Sequence, residues 1–244
     1  MGSIFRKWVY TPGLMKPKKQ KAPTLLSDRF DYYAQLIIWI DCEGRKKDVF
    51  PAMTTVLIGD ELKTYIHDPV LAPAAKAKGV VFMEWKELYV WLLQLAKEKG
   101  AYIAGYSIPE RDYLYAANPG QEEAIDKIYF NANAASWFRN KRPATYARIL
   151  KTMPKFRRPG LKQFLLDPEV GYPYPKYLVR SEFSPAKALK QARDQLTRYE
   201  GKYSDVSAGT KTALKHLIDY NRHDVRGMKY LVEFTQSLGD KWAR

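Results

Sequence analysis

The sequence has very few of the residues that most often hold metals or form covalent cross-links. Its 244 residues include one cysteine, Cys42, and three histidines. A single cysteine excludes an internal disulfide and a multi-cysteine zinc site, and three histidines argue against a histidine-rich metal centre. Any metal would therefore have to be held by carboxylates, whose hard oxygen atoms suit Mg²⁺ or Mn²⁺.

A long apolar run is also missing. A transmembrane helix needs about 20 consecutive apolar residues, and the richest stretch, residues 36–40, is far shorter. The N-terminus carries basic residues without the uninterrupted apolar segment of a signal peptide. We therefore expect a soluble, intracellular protein located in the cytoplasm. Because 46% of the residues are hydrophobic, one sizeable core can form.

Acidic residues are outnumbered, with 26 Asp and Glu against 41 Lys and Arg, so that the net charge is +15. Such an excess favours a polyanionic partner. Nucleic acid is the expected partner, ahead of an anionic membrane surface. The alternative is a protein that is merely cationic and soluble.

The chain divides by composition into an arm and a domain. Residues 1–30 form a basic, proline-containing N-terminal arm, a composition that rarely packs. We expect a tether, with a nucleic-acid-binding arm as the alternative. Residues 31–244 are predicted to form one domain, with a helical, proline-rich insertion around residues 120–180.

Hydrophobic periodicity predicts an α/β fold with a mixed sheet flanked by helices. The first predicted strand is a nearly continuous apolar run, typical of a strand that is buried on both faces. Strands are expected at residues 34–40, 53–58, 62–67 and 102–104. Helices are expected at residues 84–99, 122–129, 144–150, 186–199 and 210–238, with a further helix opening near Ser107.

The first candidate site is a pair of acids at the end of the first strand. Asp41 and Glu43 are two residues apart, so they share one side of a strand while Cys42 points to the other side. Two neighbouring acids repel each other and resist burial unless a positive group lies between them. The alternative is that Glu43 already lies in a solvated turn.

The second candidate is Glu110, with Asp112 nearby, directly after the fourth strand. Ligand sites of open α/β sheets lie beyond the carboxyl ends of the strands. If the first and fourth strands are neighbours, Glu110 shares an edge with Asp41. The alternative is a purely structural acid in the first turn of a helix, where the helix dipole favours negative charge.

The third candidate lies on the last predicted helix. Tyr220 and Asp224 are four residues apart and therefore share a helical face. Apolar residues nearby, from Val225 to Val232, turn this face inward. Gly227 is a poor helix former and indicates close approach of another backbone. The alternative is a surface aspartate beside a core tyrosine.

Together these motifs resemble the DEDD 3′–5′ exonuclease superfamily. They are similar to its tyrosine subclass, which has a ribonuclease H-like fold, and closest to the predicted ribonuclease H-like nuclease domains of prokaryotes. The resemblance rests on the Asp41–Glu43 pair, a Tyr-x-x-x-Glu motif that ends at Glu110, and a Tyr-x-x-x-Asp-Val motif that starts at Tyr220. Residues 159–164 are similar to a Ser-Leu-Lys stretch of those domains. The resemblance spans about residues 36–234.

The resemblance implies a divalent-metal-dependent phosphodiester hydrolase. It makes Asp41, Glu43, Glu110 and Asp224 the ligands of two Mg²⁺ or Mn²⁺ ions, with Asp41 bridging them. Two such ions activate the attacking water and neutralise the leaving oxygen. Tyr220 would orient the water, because a phenol with a pKa near 10 is a poor base at neutral pH.

Basic residues near the motifs are the candidate nucleic-acid contacts. Three of them follow the first acids directly, and three lie in a second cluster that also contains Phe156 and Phe164; the six are Arg45, Lys46, Lys47, Arg157, Arg158 and Lys162. Basic groups beside aromatic rings suit single-stranded DNA or RNA. A solvated surface face is the alternative for either cluster.

Two other functions fit the sequence less directly. One is a catalytically inactive ribonuclease H-like module that binds nucleic acid. The other is a structural subunit of a larger assembly. The choices between DNA and RNA, between exonuclease and endonuclease, and between Glu110 and Asp112 as the second acid stay open at this point.

Overall fold

Six strands form one mixed sheet in the computed structural model, which describes residues 36–44, 50–153, 159–179 and 183–240. The strands are β1 (Ile37–Glu43), β2 (Met53–Ile58), β3 (Glu61–Ile66), β4 (Val81–Phe82), β5 (Tyr102–Gly105) and β6 (Tyr129–Asn131), in the order β4-β3-β2-β1-β5-β6. β2 is antiparallel to both β1 and β3, whereas β5 runs parallel to β1 and to β6. The predicted α/β class with a mixed sheet is confirmed.

Helices cover both faces of this sheet. They are α1 (Ala72–Lys78), α2 (Trp85–Lys99), α3 (Ile108–Ala117), α4 (Glu122–Ile128), α5 (Ala135–Lys141), α6 (Pro143–Lys151), α7 (Leu161–Leu165), α8 (Lys176–Val179), α9 (Pro185–Arg198) and α10 (Ala208–Asp240). No helix in the described part of the chain combines the length and the apolar character that crossing a membrane requires.

The apolar run of β1 is buried on both faces, as predicted, and so separates two cores. Ile38 and Ile40 pack with α2 residues such as Leu88 and Leu92. Trp39, on the other face, packs with residues of α10, α5 and α7. Because side chains alternate along a strand, Asp41 and Glu43 continue the α10 face and Cys42 continues the α2 face.

The strand β1 begins three residues later than predicted and extends further. Backbone pairing with β2 sets its end, since Asp41 lies opposite Thr55 and Glu43 lies opposite Met53. Both acids therefore belong to the strand itself, and Glu43 is held there rather than in a turn. The predicted arm, residues 1–30, lies outside the described residues.

The helix α10 has two packing partners. Its first half packs against α9 through a core that includes Leu189, Leu196, Leu214 and Leu217. Its second half packs against the sheet and the segment around α5 and α7. The middle of α10 is therefore fixed over the end of β1.

The predicted insertion contains more structure than its sequence suggested. The helices expected there are present as α4 and α6, and β6 adds a parallel strand at the edge of the sheet. Phe164, expected beside the second basic cluster, is fully buried, and its ring packs at a tilt against Phe138 with 4.8 Å between the ring centroids. Phe164 is therefore a core residue and offers no surface for a base.

Candidate metal centre

The acids of β1 lie where the sheet leaves space beside them. On one side β1 is paired with β2 as far as Glu43. On the other side its pairing with β5 ends at Trp39 and Ala104. Asp41 and Glu43 therefore extend past the end of the neighbouring parallel strand, and a crevice at this edge is the usual place for a ligand in an α/β sheet.

The helix α10 brings a third acid to this edge. Asp224 is buried, with 7% of its surface exposed. One carboxylate oxygen each of Asp41, Glu43 and Asp224 can be chosen so that all three lie within 4.8 Å of one another. Asp224 thus meets two acids that lie more than 180 positions earlier in the sequence, as the resemblance implied.

Hydrogen bonds fix the orientation of two of these acids. The Asn221 side-chain amide, which is fully buried, donates to Asp41 Oδ2. The Tyr174 hydroxyl donates to Asp224 Oδ1 at 2.8 Å, and the Tyr220 hydroxyl also hydrogen-bonds Asp224. The predicted pairing of Tyr220 and Asp224 on one helical face is therefore confirmed.

Burial raises the pKa values of all three acids, and repulsion from neighbouring acids raises those of Asp41 and Glu43 further. The pKa of Asp41 is raised well above its usual value by burial and by the charges of Asp224, Glu43 and Glu110. Burial followed by the charges of Asp224 and Glu110 raises the pKa of Glu43 to about 8. Burial raises the pKa of Asp224 to about 7, although the tyrosine hydrogen bonds and the charge of Lys162 oppose this rise. Such a cluster favours either protons or a divalent cation.

Glu110 lies next to this cluster but outside the group of three. Only 2% of its surface is exposed, and it accepts hydrogen bonds from the Ser107 hydroxyl at 2.7 Å and the Cys42 thiol at 3.7 Å. It is thus held on the Cys42 side of β1, although its charge reaches Asp41 and Glu43. Asp112 is exposed, so Glu110 is the better candidate for the second acid.

The backbone at the end of β5 is shaped to admit Glu110. A Cβ atom on Gly105 would lie 2.5 Å from the Tyr129 hydroxyl and 3.0 Å from Glu110 Cβ. Ser107 caps α3, as predicted, but its hydroxyl binds the Glu110 carboxylate instead of a backbone amide. Glycine and serine together therefore place this acid close to β1.

Lys162 lies inside the site rather than on an open basic face. Its amine donates to the Leu178 carbonyl at 2.8 Å and lies 5.8 Å from the ring centroids of both Tyr174 and Tyr220. Its charge lowers the pKa of Asp224. The other predicted nucleic-acid contacts, Arg45, Lys46, Lys47, Arg157 and Arg158, lie outside the described residues.

Two residues of the site, Asn221 and Tyr174, were not predicted from the sequence. Asn221 could have been found, because it lies three positions before Asp224 and so shares its helical face. Tyr174 carries no comparable signal. It lies in a proline-rich segment before α8, and only the packing of that segment against α10 brings its hydroxyl to Asp224.

The donor set fits a hard divalent ion. Ligand oxygens on opposite sides of one Mg²⁺ are about 4.2 Å apart, so a spacing of at most 4.8 Å needs only small side-chain adjustments. No lysine or arginine of the described residues forms an ion pair with Asp41, Glu43 or Asp224. The buried oxygens Tyr106 Oη and Asn221 Oδ1 also have no hydrogen-bond partner in this part of the chain. A hydrated ion would supply the positive charge that the carboxylates lack and, through its water, a hydrogen bond for the unpartnered oxygens.

Comparisons with protein-family models, with curated proteins and with solved structures gave no match. Function therefore has to be argued from this site. Its distinguishing features are three converging carboxylates, a fourth acid held close by, and two tyrosine hydroxyls on one of the carboxylates.

Proposed function

We propose that this protein is a divalent-metal-dependent nuclease, a 3′–5′ exonuclease that hydrolyses phosphodiester bonds of single-stranded DNA or RNA. The observation that carries the proposal is the convergence of Asp41, Glu43 and Asp224 within 4.8 Å. The order of the acidic motifs, which resembles the tyrosine subclass of the DEDD exonucleases, supports it. A mixed sheet with acids at the end of its central strand is compatible with a ribonuclease H-like fold.

The residues of this site would have two roles, holding the metal ions and orienting the residues that hold them. Asp41, Glu43 and Asp224 would hold Mg²⁺ or Mn²⁺, and Glu110 would support a second ion. When bound, the ions would neutralise charge that develops on the phosphate and lower the pKa of an attacking water. Asn221 and Tyr174 keep the carboxylates in a binding orientation through their hydrogen bonds.

Tyr220 has the properties of an orienting group. Its pKa is raised, mainly by burial and by the charge of Asp224, so the phenol is neutral at neutral pH. A neutral hydroxyl that donates to Asp224 still has lone pairs with which to accept a hydrogen bond from water. Tyr220 would therefore position the attacking water without removing its proton.

A nucleic-acid-binding module without catalytic activity is the alternative. The observation that favours it is the placement of Glu110, whose carboxylate is bound by Ser107 and Cys42 rather than grouped with the other acids. The charge of +15 serves either function, because both involve a polyanion.

The deciding experiment follows the digestion of 5′-labelled single strands of DNA and RNA with Mg²⁺ or with a chelator. We expect progressive shortening from the 3′ end that requires the metal. Loss of one carboxylate in Asp41→Asn or Asp224→Asn should lower the rate about 100-fold or more, because metal affinity depends on each ligand. A circular single strand, which has no end, should stay intact.

The matched control is Asp194→Asn, which neutralises an exposed aspartate of α9 that pairs with Lys190. This variant should retain full activity. Cleavage in the presence of chelator, or full activity in both cluster variants, would disprove the nuclease assignment. Cutting of the circular strand would assign internal cleavage in place of exonuclease action.

A further inference from the structure

A line of aromatic rings leads from the acid cluster to the surface. The Tyr177 ring on α8 lies 4.9 Å from the His216 ring on α10. The Phe183 ring lies 6.2 Å from His216 and 5.6 Å from Tyr220, and Tyr220 hydrogen-bonds Asp224. We call these four residues, Tyr177, His216, Phe183 and Tyr220, the aromatic track.

The outer end of the track is open to solvent. Tyr177 is 41% exposed, and the other three rings are partly exposed. The Tyr177 hydroxyl donates to Asp219 Oδ2 at 3.3 Å, so this exposed ring is held in one orientation. A ring that is fixed before binding loses little conformational freedom when a ligand stacks on it.

The charges beside the track suit a polyanion. Lys176 and Lys215 are exposed, and they directly precede Tyr177 and His216 in the chain. Neither lysine has an ion-pair partner among the residues that the structure describes. Asp219, the acid beside the track, already accepts a hydrogen bond from the Tyr177 hydroxyl. Aromatic rings combined with free cations are the features that bind single-stranded nucleic acids.

We propose that the aromatic track stacks the unpaired bases of a single-stranded nucleic acid and leads the strand to the acid cluster. This inference rests on the proposed nuclease function and adds the surface that contacts the bases of the single strand. A base on Tyr177 and His216 would leave the following backbone near Tyr220 and Asp224. Paired bases present no free faces, so the surface selects single strands over duplexes.

The test measures binding without cleavage, in the presence of chelator, by fluorescence anisotropy. The probes are labelled strands of about 12 nucleotides, oligodeoxythymidylate and oligouridylate, and an abasic strand with the same number of phosphates. Wild-type protein should bind the base-bearing strands more tightly than the abasic strand. Tyr177→Ala should weaken binding of the base-bearing strands about fivefold or more and leave the abasic strand unaffected.

Two further variants separate stacking from loss of structure. Tyr177→Phe keeps the stacking ring and loses only the hydroxyl that orients it, so it should retain most of the affinity. His216→Ala should resemble Tyr177→Ala. Trp91→Ala removes an equally exposed ring from α2, on the other face of the sheet, and should have no effect. Circular dichroism confirms that each variant is folded.

Two results would disprove base stacking on the aromatic track. One is equal wild-type affinity for base-bearing and abasic strands. The other is an equal loss of affinity for both strands in Tyr177→Ala. Because binding is measured in chelator, where no metal-dependent cleavage occurs, its result is independent of the nuclease assay. A protein that stacks bases through Tyr177 but does not cut them with Mg²⁺ would disprove only the nuclease function. A protein that cuts but binds both strands equally would disprove only the track.

Discussion

At the scale of single residues, the acid cluster depends on neutral hydrogen-bond donors. Tyr174, Tyr220 and Asn221 donate to the acids without bringing a positive charge of their own. Such donors fix a carboxylate in place but neutralise little of its charge, and this leaves the site attractive to a cation. Residues that orient metal ligands in this way often matter nearly as much as the ligands.

Tyr174→Phe tests this orienting role. Removing the hydroxyl deletes the donor to Asp224 Oδ1 and leaves the ring in place, so Mn²⁺ affinity should fall about 10- to 100-fold. Isothermal titration calorimetry with Mn²⁺ measures the change. Tyr172→Phe is the matched control, because that hydroxyl contacts His223 instead of an acid; equal losses in both variants would contradict the orienting role.

At the scale of elements, the contact between α10 and α7 holds Asp224 over β1. Gly227 is the point of closest approach, since an added Cβ atom would lie 2.2 Å from Leu165 Cδ1. The sequence indicated a neighbouring backbone here, but the atoms nearest to this position belong to the Leu165 side chain. Leu165 is buried, so its side chain has little room to move away.

Gly227→Ala should therefore destabilise the protein by about 1–3 kcal/mol, the usual cost of overpacking a core. Denaturation by urea gives the free energy of unfolding. Gly209→Ala is the control on the same helix, where an added Cβ atom meets nothing within 4 Å; it should be neutral or stabilising, because alanine favours helix. A Gly227→Ala variant as stable as the wild type would show that α7 is not tightly packed against α10.

Regular elements were predictable and short ones were not. The helices α2 and α10 repeat their apolar residues over several turns, and glycine at position 100 ends α2 in a left-handed conformation (φ 59°). The strand β6 has three residues, too few to show a period. Its place in the sheet comes from pairing with β5, which no local pattern encodes.

At the scale of the whole molecule, the acid cluster should make the stability of the fold depend on pH. In the folded protein the pKa of Asp224 is about 7 and that of Glu43 is about 8, whereas unfolded carboxyls titrate near 4. Between these values the folded state binds more protons than the unfolded state. The free energy of unfolding should therefore fall as the pH rises through this window.

Thermal unfolding in chelator should show this fall between about pH 5 and pH 8, with a slope of up to about 1.4 kcal/mol per pH unit for each extra proton bound. Mg²⁺ should raise the melting temperature more at the upper end, because protons no longer compete for the carboxylates. Asp224→Asn, which cannot titrate, should flatten the profile. Parallel profiles for this variant and the wild type would contradict the linkage.

The sequence by itself determined the α/β class and the long helices, because hydrophobic period is a local property. Its motifs also marked Asp41, Glu43 and Asp224 as candidate metal ligands. Only the tertiary structure decided that these acids meet, that Glu110 is turned toward Cys42, and that Tyr174 binds Asp224. Those contacts join residues far apart in the chain, and their geometry follows from how the sheet and α10 pack together.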